Sequence, residues 1–189
     1  MGTANLDQCG VPTADVTKEI VMTSRILAIL LAVAFVAPAS MRASAQAPLQ
    51  PPPQIPYGAP ISVENAKKAA AGCIGEAQKN KWNMAIAIVD GAGFLVYFER
   101  MQNTQLGSVD LAIEKARTSA LFRRPTEVFQ ETLAAGGDGL RVLGLTGVNP
   151  NGGGVPIVVD GKIIGAIGIS GGSAKQDAQV AAAGVGALK

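Results

Sequence analysis

Two pairs of apolar segments, each joined by a short turn, constrain the fold of this chain most strongly. The first pair is MAIAIVD (84–90) and FLVYFER (94–100), joined by a GAG turn. The second pair is VPIVV and KIIGAIGIS, joined by Asp160-Gly161, a dipeptide typical of two-residue β-hairpin turns. Apolar runs of β-type residues around such turns predict two antiparallel hairpins.

Helical patterns occupy the sequence before, between and after the hairpins. Ser62 is a predicted N-cap, Ser108 is a second, and Ser173 forms a predicted capping box with Gln176. TEVFQETLAA predicts one further short helix. Alternating steps of three and four define an apolar stripe on the first helix: Val63, Ala66, Ala70, Cys73 and Ala77. Hairpins separated by helices predict an α+β fold with helices packed on an antiparallel sheet.

The first 60 residues do not follow these patterns. Residues 22–45 contain a positive Arg25, an apolar run, a proline and a small-residue ASA site, which together predict a signal peptide. An uncleaved membrane anchor is the alternative, but the apolar run is short for a span. We therefore expect residues 1–21 to lie upstream of the true start, 46–60 to be a proline-rich linker and 61–189 to be the domain. The expected location is periplasmic or secreted, with no stable membrane span after cleavage.

Composition excludes several kinds of site. The chain has no histidine, so histidine-based triads and histidine zinc sites are impossible. Its two cysteines, Cys9 and Cys73, lie far apart and outside any CxxC pattern, which excludes a cysteine zinc cluster. A net charge of +2 argues against general nucleic-acid binding, which needs many phosphate contacts. Because Cys73 falls on the apolar stripe, we expect a buried thiol rather than a ligand.

Three long motifs carry a resemblance to a known family. AIVDGAGFLVYFERM, GSVDLAIEKARTSALFRRPT and GGGVPIVVDGKIIGAIGISGGSAKQD follow one another across nearly all of 61–189. Together they resemble the GlcG/HbpS family, whose domain also ends some corrinoid adenosyltransferases. The resemblance implies a profilin-like domain with a five-stranded antiparallel sheet. It also implies self-association, as a dimer or a larger ring such as an octamer.

The same resemblance implies two kinds of function. Some members bind haem, and an exported member is described as haem-binding and haem-degrading in redox sensing with a two-component system, so a sensor kinase is a possible partner. Other members accompany glycolate, glycerol or diol metabolism, so the alternative is an accessory protein or enzyme acting on small hydroxy acids or aldehydes without haem. The predicted export places this chain nearer to the haem-sensing branch, on location alone.

Candidate binding residues lie in KARTSALFRRPTEVF (115–129). Four side chains share one helix face and two arginines follow it: Leu111, Lys115, Thr118, Phe122, Arg123 and Arg124. An apolar base, a ring and several cations suit a planar apolar ligand with two carboxylates, such as haem. The alternative is that the same side chains serve only the core and a subunit interface, where arginine is enriched.

The iron ligand and any reaction stay open. Haem iron is usually held by His, Cys, Met or Tyr, so the candidates are Tyr97, Met101, Met84, Cys73 and, as a weak oxygen ligand, Thr118.

Acidic residues identify no reaction. Asp90 and Asp160 fall at hairpin turns, where local backbone bonding is expected. Glu99 beside Arg100 is a possible pair for a small hydroxy acid or aldehyde, with no defined geometry. GISGGSAKQD is either an anion seat at a helix N-terminus or a simple tight turn.

Overall fold

The computed structural model describes residues 54–189. The strands are β1 (Ala85–Asp90), β2 (Leu95–Arg100), β3 (Gly154–Val159) and β4 (Lys162–Ser170). The helices are α1 (Val63–Lys79), α2 (Ser108–Phe122), α3 (Glu127–Ala134) and α4 (Ala174–Gly186), with a 3-10 helix at Gly137–Gly144 between α3 and β3. The predicted upstream extension, the signal peptide and residues 46–53 of the predicted linker lie outside the described residues.

The four strands form one antiparallel sheet in the order β2-β1-β4-β3. Both predicted hairpins are present, and β1 pairs with β4 at the centre. The α+β class is confirmed, but the expected five strands are wrong for the described part of the chain. The two hairpins supply four strands, and the additional pairing is a single parallel bridge between Tyr57 and Ile163.

The two faces of the sheet carry different cores. Helices α1 and α4 cover one face, where large aliphatic side chains such as Ile86, Ile88 and Ile167 meet the alanines of α1. Helix α2 covers the other face, where the buried contacts are almost all alanine. A Cβ placed at Gly168 of β4 would collide with the backbone oxygen of Ala112. Glycine at this position therefore lets α2 lie close against the sheet.

The helix ends match the sequence patterns with one exception. The Ser62 hydroxyl caps α1 by accepting a hydrogen bond from the Asn65 amide at 3.2 Å, and the predicted capping box of α4 is present. Ser108 is not a cap, because Gly107 occupies that position and Ser108 is the first helical residue. The Ser108 side chain is buried, with its oxygen 3.1 Å from the Ser170 hydroxyl.

The apolar stripe of α1 is largely as predicted. Ala66, Ala70, Cys73 and Ala77 are buried, whereas Val63 is 47% exposed. Val63 differs because it begins the helix, where the stripe has not yet reached the sheet. None of the helices between residues 54 and 189 has both the length and the apolar character needed to cross a membrane.

The residues just before the domain, 55–60, run along it and are called the N-terminal strap here. The amide of Ile163 donates to the oxygen of Pro56, and the amide of Gly58 donates to the oxygen of Ile163, both at 2.8 Å. The Tyr57 hydroxyl donates to the oxygen of Ala120 in α2 at 2.9 Å. The last part of the stretch predicted as linker is therefore fastened to both β4 and α2.

Candidate functional site

The predicted cation at the middle of α2, Lys115, lies in the core. It is 2% exposed, and its Nζ donates to Asp177 Oδ2 at 2.7 Å and to the oxygen of Ile169 at 3.0 Å. A buried ammonium is tolerable only when it is paired and its protons are bonded. Lys115 therefore joins α2 to the first turn of α4 and does not face solvent in this structure.

The predicted hydroxyl, Thr118, is also fully buried. Its Oγ1 accepts a hydrogen bond from the Asn149 amide at 2.8 Å and donates to the oxygen of Gly147 at 3.2 Å. The Asn149 side chain in turn donates to Glu114 Oε2 at 2.8 Å. Thr118 thus fastens the 147–149 loop against α2, and its hydroxyl acts as both donor and acceptor.

The predicted ligand face is therefore not one open surface. Leu111, Lys115, Thr118 and Phe122 share a side of α2, but β4, α4 and the 147–149 loop cover its middle. The buried side of α2 is not purely apolar, because it includes polar side chains that find partners within the protein. Its buried residues are Ser108, Ala112, Lys115, Ala116, Thr118, Ser119 and Ala120. Whether these side chains bind a cofactor stays a prediction.

The C-terminal end of α2 opens onto a cavity of about 260 Å³, called the arginine–phenylalanine pocket here. It is lined by two rings, two guanidinium groups and smaller side chains: Phe122, Arg124, Val128, Phe129, Thr132, Arg141, Val142 and Leu145. The rings of Phe122 and Phe129 meet edge to face, with centroids 5.4 Å apart. The Arg124 guanidinium lies 5.7 Å from the Phe129 centroid.

The structure separates the two neighbouring arginines. Arg123 follows α2 in the left-handed conformation, with φ at 56°, and the chain changes direction there. Its guanidinium lies 4.3 Å above the Tyr57 ring and donates to the oxygen of Ile55 at 3.5 Å. Arg123 therefore faces the N-terminal strap, while Arg124 faces the arginine–phenylalanine pocket.

The candidate iron ligands on β2 lie away from this pocket. Tyr97 and Met101 pack against the α1 side of the sheet, opposite to α2. The Tyr97 hydroxyl donates to Glu99 Oε2 at 2.9 Å, and this bond, with partial desolvation and the charge of Glu99, raises the pKa of Tyr97. The structure therefore does not bring Tyr97 or Met101 together with Phe122 and Arg124.

The remaining ligand candidates are inside the core. Met84 and Cys73 are fully buried, as expected for Cys73 from its place on the stripe. Burial raises the pKa of the Cys73 thiol to about 12, so the thiol is protonated near neutral pH. Within residues 54–189, no group of three or more His, Cys, Asp or Glu is placed to hold a metal ion.

The glycine-rich turn before α4 is closed by its own side chains. The Gly172 amide donates to Asp177 Oδ1 at 2.9 Å, and the Ser173 amide donates to Gln176 Oε1 at 2.8 Å. These amides are occupied, which favours the tight-turn interpretation over an anion seat. At the first hairpin, Asp90 Oδ1 accepts from the amides of Ala92 and Phe94, so its expected structural role is confirmed.

Two functional features were missed by the sequence analysis. Arg141 and Leu145 reach the arginine–phenylalanine pocket from the 3-10 helix and the residue after it, a stretch with no assigned element. The spacing of leucine and valine in GDGLRVLGL was the available signal. The second feature is a cavity of about 390 Å³ between α2 and the 147–149 loop, lined by Glu114 and Arg117. Glu114 and Arg117 lie three positions apart on α2 but form no ion pair with each other.

Solved structures share this fold. The chain is similar to a Streptomyces reticuli HbpS double mutant, with a TM-score of 0.65, 27% identity, and coverage of 77% of this chain and 99% of the other. It is also similar to a PduOC:heme complex, with a TM-score of 0.62, 28% identity, and coverage of 69% and 96%.

Sequence comparison agrees with the structural likeness. Protein GlcG of Escherichia coli strain K12 is 41% identical over 110 residues, which are 58% of this chain and 81% of GlcG. Residues 61–186 match the family model described as haem degrading protein HbpS-like. That match spans well over half of the chain and includes every helix and strand described above, so the chain belongs to the HbpS-like family.

Proposed function

We propose that this protein binds haem in the arginine–phenylalanine pocket. The observation that carries the proposal is the placement of two guanidinium groups, Arg124 and Arg141, and two phenyl rings, Phe122 and Phe129, around one cavity. Haem is a flat apolar ring with two carboxylates. Rings pack against its faces, and guanidinium groups pair with carboxylates through charge-assisted hydrogen bonds.

The family and its relatives support this ligand. The description of the matching family model names haem degradation, and one structural relative was solved as a complex with haem. The residues that line the pocket include no acidic side chain, so nothing among them opposes a ligand with two negative charges. The rim is partly apolar, with Val128 39% and Leu145 42% exposed, and covering these side chains with the macrocycle would remove apolar surface from water.

The pocket lining contains no histidine, cysteine, methionine or tyrosine. We therefore propose that ring packing and carboxylate pairing hold the haem, without a strong iron ligand from these residues. Binding of this kind is exchangeable, which suits a scavenger or a sensor. The separate prediction that Tyr97, Met101 or Thr118 ligates the iron is tested by Tyr97→Phe, Met101→Leu and Thr118→Val, each of which should alter the haem absorption spectrum if it removes a ligand.

Self-association forms part of the proposal. A cavity of about 260 Å³ is below the range of roughly 300–1,000 Å³ typical of small-ligand pockets, so a macrocycle would extend beyond it. Leu140 and Leu143, on the same 3-10 helix as Arg141, are 54% and 70% exposed. We propose that a second copy of the chain covers these leucines. Light scattering should detect a dimer or larger ring, and Leu143→Glu should shift it toward the monomer.

A haem titration followed by the Soret band tests the binding site. We expect saturation at one haem per chain. The double variant Arg124→Glu, Arg141→Glu should bind about tenfold or more weakly, because charged hydrogen bonds are lost and repulsion is introduced. Lys175→Glu, an exposed charge reversal on α4, is the matched control and should titrate like the unchanged protein. Unsaturable uptake, equal in all three proteins, would overturn the proposal.

We also propose a location and a partner for this protein. The leader pattern at 22–45 supports export to the periplasm or the exterior, which cell fractionation with an antibody to the domain would test. A sensor-kinase partner is proposed from the family resemblance alone, and co-purification with membrane kinases in the presence of haem would test it.

If no saturable haem binding is found, an accessory role in hydroxy-acid or aldehyde metabolism becomes the better proposal, and those compounds should be screened next.

A further inference from the structure

A second cavity lies along the solvent-facing side of α2 and is called the α2–loop cavity here. It measures about 390 Å³, and its lining comes from two places in the chain: Glu114, Arg117 and Leu121 of α2, and Gly147, Val148 and Asn149 of the loop. The three α2 residues are spaced by three and four, so they share one side of the helix. The two cavities have no lining residue in common.

The walls of this cavity are fixed by hydrogen bonds. The buried Thr118 hydroxyl holds both ends of the loop, through the Asn149 amide at 2.8 Å and the Gly147 oxygen at 3.2 Å. The Asn149 side chain then donates to Glu114 Oε2 at 2.8 Å, which orients the carboxylate. A cavity with preset walls loses little conformational entropy on binding, and preorganisation of this kind favours a ligand.

Two opposite charges line the cavity without forming an ion pair with each other. The ion pairs within residues 54–189 are Lys79–Glu76 and Lys115–Asp177, so Glu114 and Arg117 do not pair. The Arg117 guanidinium makes no hydrogen bond to any residue between 54 and 189, and only one oxygen of Glu114 is used. Both groups are exposed at the cavity and keep bonding capacity for a ligand.

This charge arrangement selects for a zwitterion. A monoanion would be attracted by Arg117 but repelled by Glu114, and a monocation would meet the reverse. A molecule with an ammonium and a carboxylate on one carbon satisfies both groups, because residues three apart on a helix are neighbours. Leu121 and Val148 add apolar surface for a side chain. The volume also lies in the range of small-molecule pockets.

We propose that the α2–loop cavity binds a free α-amino acid with an apolar side chain. The carboxylate pairs with Arg117, whose planar guanidinium suits two parallel hydrogen bonds to it. The ammonium donates to Glu114, and the side chain packs on Leu121 and Val148. The inference is independent of haem binding, because it uses a different cavity and different residues.

Calorimetric titration of the full chain tests this assignment with three related probes. L-leucine carries both charges, 4-methylpentanoate lacks the ammonium, and 3-methylbutylamine lacks the carboxylate. We expect saturable binding of L-leucine at one site per chain, with each single-charge analogue at least about tenfold weaker. A thermal-shift screen of the standard amino acids would rank side chains, with apolar ones giving the largest shifts.

Variants separate this site from the haem pocket. Arg117→Gln and Glu114→Gln should each weaken L-leucine binding about tenfold or more while leaving haem binding and the melting temperature unchanged. A Gln at position 114 keeps an oxygen for Asn149, so the loop is retained. Arg124→Gln is the matched control and should leave L-leucine binding intact. No shift with any amino acid, equal binding of the analogues, or unchanged binding in Arg117→Gln would each overturn the proposal.

Discussion

The middle and the C-terminal end of α2 carry similar side chains in different surroundings. Lys115 lies between the sheet and α4, where Asp177 and a backbone oxygen take its protons. Arg124 lies only nine residues further along, exposed, with its guanidinium near the Phe129 ring at the arginine–phenylalanine pocket. The sequence predicted one role for both. What decides the role of a cation on this helix is the element packed against it, rather than its charge.

The charged side chains of the two regions should also differ in how much they contribute to the free energy of folding. A buried ion pair gains attraction in a low dielectric but loses hydration of both charges, so its net contribution is small while the loss of one partner is severe. An exposed arginine loses little hydration and contributes little to folding. Substitutions of the buried side chains Lys115 and Thr118 should therefore change stability, and those of the exposed Arg124 at the end of α2 should change haem binding.

The largest expected effect is at the buried pair. Lys115→Met leaves the Asp177 carboxylate buried without its cation, and the free energy of unfolding should fall by about 3–5 kcal/mol in urea titrations. Lys175→Met, an exposed neighbour on α4, should change it by less than about 0.5 kcal/mol. Replacing both partners, as Lys115→Met with Asp177→Leu, should recover part of the loss. Equal stability of Lys115→Met and the unchanged protein would remove the distinction between the two regions.

The next effect is at the loop held by α2. Thr118→Val keeps the shape of the side chain but leaves the Asn149 amide and the Gly147 oxygen without their partner, which should cost about 1–3 kcal/mol. Hydrogen exchange at the Asn149 amide should accelerate, and L-leucine binding should weaken. Thr146→Val, at an exposed neighbouring position, is the control and should show neither change. Unaltered exchange at Asn149 would mean that Thr118 does not fasten the loop.

A pH-dependent effect comes from the core beneath α1. The pKa of the Cys73 thiol is about 12 in the folded chain against 9.0 for the free group, so only the unfolded chain releases this proton between those values. Stability from this group is complete below about pH 9 and is lost as the pH rises towards 12. Near pH 10.5 the loss should be about 2 kcal/mol. Cys73→Ala should not show this loss of unfolding free energy at alkaline pH. Urea titrations of both proteins under reducing conditions, at neutral and alkaline pH, would reveal the difference. The same pH dependence in the variant and the unchanged protein would contradict the prediction.

The smallest effect on stability is expected at the end of α2. Arg124→Ala should change the free energy of unfolding by less than about 0.5 kcal/mol, since the side chain is exposed. The same variant should weaken haem binding severalfold in a Soret titration. A large stability loss in Arg124→Ala, with haem affinity unchanged, would reverse the comparison between the two regions.

Local patterns made much of the fold predictable. The hairpins depend on turn residues and β-type runs within a few positions, and the Ser62 and Ser173 caps depend on hydrogen bonds to residues three positions away. Such signals can be read directly from the sequence. The fifth strand was expected from family resemblance rather than from any segment, and the described residues have a single bridge at Tyr57 in addition to the four strands.

The site was less predictable because its contacts are distant in the chain. Lys115 meets Asp177 across 62 positions, so no local pattern could show that this cation is paired. Thr118 meets Asn149 across 31 positions for the same reason. Phe122 and Arg124 lie next to each other at the end of α2 by sequence position alone, but Arg141 joins them only because the 3-10 helix packs against α3.

The N-terminal strap has a practical consequence for anyone trimming the protein. The family match begins at Ile61, and a chain cut there would lose Pro56, Tyr57 and Gly58. The amide and oxygen of Ile163 would then be left without the partners that hold them now. Unpaired strand groups are templates for pairing between molecules. A shortened preparation that begins at the family boundary should therefore be more prone to aggregate than one that begins a few residues earlier.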